Sequence, residues 1–168
     1  MPPVAYTPTD MDPLDRLREL RLELPPAPAA LAAYVPVRAV PIGQARSLLF
    51  IAGQVPVRDG KPLYTGRVPS EVTLEQAADA ARVCALNVLA QVHRETGLEK
   101  VEQVLQLTVF VLSEDGFAEQ PKVANAASEL LAEVLGDAGQ HARVAVGVNA
   151  LPLRVPVEIA AIVVARAG

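Results

Sequence analysis

Apolar side chains recur at two different periods along this chain, and the change from one to the other lays out its elements. Leu74, Ala77, Ala81, Cys84, Leu86, Val88, Leu89 and Val92 fall at helical spacing. Thr73, with Gln76 three residues on, supplies a capping box, and Gly97 closes the helix. A second helix follows Pro121, with Val123, Ala124, Ala127, Leu130, Leu131, Val134 and Leu135 on its apolar side and Gly136 at its end. Between them the period drops to two. Residues 104–112 read as a strand, with Leu105, Leu107, Val109 and Val111 on one face. Strands are also predicted over 34–40 (interrupted by Pro36), 47–52, 143–149 and 155–164, and Arg58-Asp-Gly-Lys61 reads as a turn. The order is β-β-α-β-α-β-β, an α+β pattern in which both helices cross over one face of a mixed sheet. The other face is left aliphatic, which predicts that a partner covers it.

Residues 1–27 read as an N-terminal extension and 28–168 as a single domain. Thr7 to Asp12 is turn-rich. Leu14, Leu17, Leu20 and Leu22 then fit a short helix begun by Asp12 and Pro13 and stopped by Leu24-Pro-Pro-Ala-Pro28. Aromatic residues make up only 4% of a chain that is 51% apolar, so the core must be built from Val, Leu, Ile and Ala. The net charge is -4 and no basic cluster stands out, which argues against nucleic-acid binding. Cys84 is the single cysteine, so no intrachain disulfide forms. With only His93 and His141 besides, no metal-ligand spacing exists. No signal-peptide pattern and no 18-residue apolar run is present, and a cytoplasmic protein without membrane attachment is expected.

Two charges break the apolar strands. Arg143 opens an alternating run through Val148, and Glu158 stands alone within 155–164. A guanidinium in a dry sheet needs an anionic partner, and its planar fork matches a carboxylate. Arg143 therefore either anchors a small acid or closes a structural ion pair, with Glu158 or with a neighbouring chain. Glu158 either handles protons or water, or reaches solvent. Tyr34 reads as a packing residue, Asn125 as a surface amide, His141 as an exposed loop side chain and Cys84 as an inert core thiol. No Gly-rich phosphate loop, serine elbow or Cys-His-Asp spacing is found.

Taken together, residues 28–166 resemble the RidA/YjgF family. Ala30-Leu-Ala-Ala-Tyr-Val35 is similar to its N-terminal tyrosine segment, and Phe50-Ile-Ala-Gly-Gln-Val-Pro-Val57 to its Ser-Gly-Gln-Ile/Val-Pro segment. Thr108-Val-Phe-Val111 and Asn125 also match. Arg143 to Pro152, followed by Val157-Glu-Ile159, resembles the family's most specific signature. The resemblance implies a chorismate-mutase-like fold, a homotrimer, sites in clefts between subunits, and no cofactor. It implies a hydrolase that deaminates reactive 2-imino and enamine acids to 2-oxo acids and ammonia. In that frame Arg143 pins the substrate carboxylate and Glu158 positions or activates water. Tyr34, from the adjacent subunit, joins Ala52, Gly53, Asn125 and Ala145 in shaping the pocket. Ala52 stands where the archetype has a serine, and Ala145 where it often has a cysteine. Gly147 and Ala160 replace residues that are often acidic. The pocket is therefore less polar, and a non-catalytic trimer that binds or senses a small carboxylate is the alternative.

Overall fold

A computed structural model describes residues 11–30 and 32–166; most of the turn-rich 7–12 segment, and Leu31 of the tyrosine segment, lie outside these. The chain runs α1 (Pro13–Glu19), β1 (Val37–Gly43), β2 (Arg46–Gln54), β3 (Val57–Arg58), β4 (Lys61–Pro62), α2 (Leu74–Glu95), β5 (Val101–Leu112), α3 (Gln120–Leu135), β6 (Ala142–Val148) and β7 (Val157–Arg166). The main sheet has the order β1-β2-β7-β5-β6, and β3 and β4 form the small hairpin that carries the Arg58–Lys61 turn. Only β5 and β6 pair in parallel. That is the mixed α+β sheet the periodicity predicts, with α3 as the crossover between parallel neighbours.

Local chemistry sets the helix ends. Thr73 accepts from the Gln76 backbone N–H, and the Gln76 side chain accepts from the Thr73 N–H. Two otherwise orphaned donors are satisfied, each such cap contributing about 1 kcal/mol. Gly136 ends α3 at φ +60°, a backbone setting that favours glycine. Helix α2 is buried on far more than one stripe, because β2 and β7 lie under it and α3 beside it. Its buried set includes two polar residues, Asn87 and Gln91, as well as Cys84.

The core sits between the helices and one sheet face. Leu49 and Ile51 of β2, Leu107, Val109 and Val111 of β5, and Val157, Ile159, Ala161, Val163 and Ala165 of β7 all point into it. The opposite face carries Phe50, Leu105, Val144 and Val146, with Val40 and Ile42 on edge strand β1, all exposed.

Two details differ from the sequence expectation. Strand β1 begins after Pro36 rather than at Tyr34, because a proline and the residue before it resist regular ladder geometry. Leu105 is exposed while Val104 is buried, since a bulge between Val104 and Gln106 shifts the pleat by one residue.

Helix α1 joins the core packing. Asp12 caps α1, the Arg16 Nε donates to the Glu133 carbonyl on α3, and Leu17 is 2% exposed within the core cluster. Leu17→Ala should lower unfolding free energy by about 2 to 4 kcal/mol, measured by urea denaturation; a change within error would show that α1 rests loosely on α3.

Candidate functional site

Arg143 lies near the start of β6, opposite Leu107 of β5, and so projects from the helix-covered face. Because β6 is an edge strand, only α3 stands over it, and the side chain is half-buried. One terminal nitrogen donates to Asn125 Oδ1 at 3.1 Å and to Ser128 Oγ at 2.9 Å; the other reaches the Pro121 carbonyl at 3.4 Å. Asn125 and Ser128 are one helical turn apart, so α3 presents both to the same strand. Partial burial pulls the arginine pKa below its ordinary value, and the charge of Glu129 opposes the shift. Among the described residues no carboxylate forms an ion pair with Arg143. Among the described residues its hydrogen bonds go to neutral oxygens.

His141 completes this cluster and corrects the expectation of an exposed loop side chain. It is partly buried, with Nδ1 2.7 Å from the Gly139 carbonyl and Nε2 3.0 Å from Ser128 Oγ. Burial lowers its pKa, the Gly139 hydrogen bond opposes that, and the neighbouring Arg143 charge lowers it further. Ala145, two residues after Arg143, packs against the core, and Gly147 follows beside Ser113 and Gln120.

Glu158 is elsewhere. It pairs with Phe110 and projects from the open face of β7. Its carboxylate lies against Gly53, where a Cβ would sit 1.9 Å from Glu158 Oε1, so no larger residue fits there without displacing it. Burial alone pushes its pKa above the ordinary glutamate value. Strand β2 bulges between Ile51 and Gln54, which brings Ala52 and Gly53 to this point. The bulge is held from behind: Gln54 Nε2 donates to the Ala52 carbonyl at 3.0 Å, while Gln91 Nε2 donates to Gln54 Oε1 at 3.3 Å and to the Pro28 carbonyl at 2.7 Å. Tyr34 lies in the exposed segment that leads into β1.

Within one chain, then, the candidate residues form two groups on opposite faces. Arg143, Asn125 and Ala145 belong to the α3–β6 edge, and Glu158, Ala52 and Gly53 to the β2–β7 bulge. From the register, Arg143 and Glu158 differ by about 10 Å along β5 and by two strand spacings, about 10 Å, across it. An intrachain Arg143–Glu158 ion pair is therefore absent. Sequence reasoning missed the contacts of Ser128, Gln54 and Gln91; the first is short and polar on a helix, Gln54 stands out only as part of the 50–57 segment, and Gln91 lies among the apolar positions of α2. Cys84 is fully buried, its pKa raised by burial and then by the Glu158 charge, which fits an inert thiol.

Residues 15–162 match the family model described as "YjgF/chorismate_mutase-like, putative endoribonuclease". The chain belongs to this family. It is 40% identical over 149 residues to protein TCP17 of Trypanosoma cruzi, covering 88% of this chain and 90% of that one. A crystal structure from Shewanella oneidensis, named a "putative endoribonuclease", superposes with a TM-score of 0.83 at 31% identity, covering 91% of this chain and 99% of that one. Escherichia coli TdcF with bound serine superposes at 0.57 and 28% identity, covering 82% and 92%. The YjgF fold thus accounts for the sheet order and for the helices on one face. No helix among the described residues is long and apolar enough to cross a membrane, and none of their His, Cys, Asp and Glu side chains cluster as a metal site.

Gly53→Ala tests the contact with Glu158. The carboxylate is a flexible end and can swing aside, so the melting temperature should stay close to wild type. The Glu158 pKa, followed by carbon NMR, should fall back toward the ordinary range. An unchanged pKa would mean that Gly53 does not set the carboxylate's position.

Proposed function

We propose that this YjgF-family chain is a cofactor-independent hydrolase that deaminates reactive 2-imino and enamine acids to 2-oxo acids and ammonia. The observation that carries the reading is Arg143, a half-buried guanidinium that forms no ion pair with a carboxylate among the described residues. Such a charge is matched by a small acid presented to its fork. The serine bound to TdcF, a relative of the same fold, is an acid of that size.

The chemistry asks little of the protein. The imine carbon is already electrophilic. Water adds to it as Glu158 takes a proton, giving a carbinolamine. Glu158 returns that proton to the nitrogen, the C–N bond breaks as the hydroxyl proton passes to water, and ammonia leaves a carbonyl behind. A glutamate whose pKa is raised by burial is a better base near neutral pH than a solvated one. Orientation through Arg143 supplies much of the rest.

Since Arg143 and Glu158 face opposite sides of one sheet, the reading requires a homotrimer in which one subunit's arginine meets another's glutamate. Tyr34 then enters from the neighbouring subunit, and Ala52, Gly53, Asn125 and Ala145 form the walls. Support comes from the uncovered aliphatic face, which includes Phe50, Val144 and Val146. The catalytic unit is residues 28–168, with 1–27 an extension. A cytoplasmic location suits its lone thiol.

The assay is release of ammonia and pyruvate from freshly generated 2-iminopropanoate. Arg143→Ala should lower kcat/KM by about a hundredfold or more, and Arg143→Lys should also be poor because it lacks the fork. The base must be ionised, so activity should fall as pH drops through a midpoint above the ordinary glutamate range, and Glu158→Gln should abolish that limb. Equal inactivity of wild type and Arg143→Ala across several imino acids would reject catalysis. Melting shifts with 2-oxo acids but no turnover would instead identify a carboxylate sensor.

The family's endoribonuclease description makes a separate measurement worthwhile. With a net charge of -4 and no basic cluster, this chain should neither bind nor cut a mixed RNA at low salt; salt-sensitive cleavage by pure protein would reverse that.

A further inference from the structure

His141 sits two residues before Arg143, and its ring makes two contacts that fix one another. The Gly139 carbonyl at 2.7 Å can only accept, so Nδ1 carries the hydrogen. In the neutral imidazole, Nε2 then holds a lone pair toward Ser128 Oγ at 3.0 Å. Serine has a single proton, and it goes to Nε2. What Oγ offers Arg143, 2.9 Å away, is lone pairs only. Asn125 Oδ1 holds the same guanidinium nitrogen at 3.1 Å, again as a neutral acceptor. Positioning by neutral oxygens differs from positioning by a carboxylate: both fix the side chain, but a carboxylate also cancels its charge.

We infer that Ser128 and His141 are positioning residues for Arg143, and that they hold its guanidinium in place while leaving its charge for a ligand carboxylate. The inference rests on the carboxylate-binding role proposed for Arg143. Ser128 supplies the oxygen, and His141 orients that oxygen by taking its proton. Neither touches the substrate. The arrangement explains why a partly buried histidine lies beside a cation: its ring stays neutral there, because burial and the Arg143 charge both disfavour the imidazolium.

The test measures pyruvate binding by calorimetry on the full chain, so it does not depend on turnover. Wild type should bind. Ser128→Ala should bind about ten- to a hundredfold more weakly, the range for losing one hydrogen bond to a charged group. Ser128→Asp separates positioning from mere structure. It should stay folded, because its carboxylate still grips Arg143 while His141 gains a proton at Nε2 to donate to it, and it should lose pyruvate binding because the guanidinium is already paired. Nitrogen NMR should show His141 Nε2 unprotonated near neutral pH in unliganded wild type. If wild type binds and either Ser128 variant binds equally well, or if the opposite tautomer is found, the assignment of Ser128 and His141 fails on its own. If wild type binds neither pyruvate nor any other 2-oxo acid, that assignment and the functional reading fail together.

Discussion

A sheet covered by helices on one side only has to do something with its other side. Here that constraint is severe, because the chain has few aromatic residues and fills most strand positions with Val, Leu, Ile or Ala. Helices α2 and α3 seal the face that carries Leu49, Leu107, Val109 and Ile159. The reverse face keeps Phe50, Leu105, Val144 and Val146 in water. Moving one such side chain fully out of water contributes about 1.5 to 3 kcal/mol, so this face is a strong drive toward self-association. The same constraint divides the candidate chemistry. A side chain on β6 that alternates with Val144 and Val146 must point toward α3, as Arg143 does. A side chain on β7 that alternates with Val157 and Ile159 must point away from the helices, as Glu158 does. No local adjustment brings the two together in one chain.

The energetics at Arg143 follow from its edge position. A cation deep in the sheet, with no anion beside it, would be too costly. At the edge strand it stays partly solvated, and three neutral oxygens from α3 replace part of its lost water. This leaves a group that is fixed in direction but not neutralised. Glu158 is the counterpart: a carboxylate half withdrawn from water, with no donor or cation among the described residues to offset the burial. Each is poorly satisfied alone: a bound acid would relieve Arg143, and a nearby cation would relieve Glu158.

Much of this was legible in the sequence. The capping box at Thr73, the proline near the start of α3 and the Gly136 terminator are local signals, and local signals survive folding. Arg143 and Glu158 stood out because a lone charge in an aliphatic strand is chemically conspicuous. Which face each would take was not legible, because the pleat is set by pairing with β5, and β5 carries a bulge that moves Leu105 from the expected core face to the open one. The contact between Ser128 and His141 escaped notice for a related reason. They lie thirteen positions apart, with the end of α3 between them, and nothing in either position's neighbours announces the contact.

The bulge in β2 shows how a defect in one ladder becomes a feature of a site. An extra residue between Ile51 and Gln54 frees the Ala52 and Gly53 carbonyls from regular pairing with β7. Buried carbonyls need donors, and the Gln54 amide supplies one, chiefly to Ala52. Its own oxygen then accepts from Gln91, whose amide also holds the Pro28 carbonyl. The arrangement is not free of cost, since the Gln91 Oε1 finds no partner among the described residues. An apolar core would avoid that penalty, but it could not hold an irregular backbone in one place. Because Gly53 is the surface against which Glu158 rests, fixing the bulge from inside the core fixes the carboxylate on the far side of the sheet.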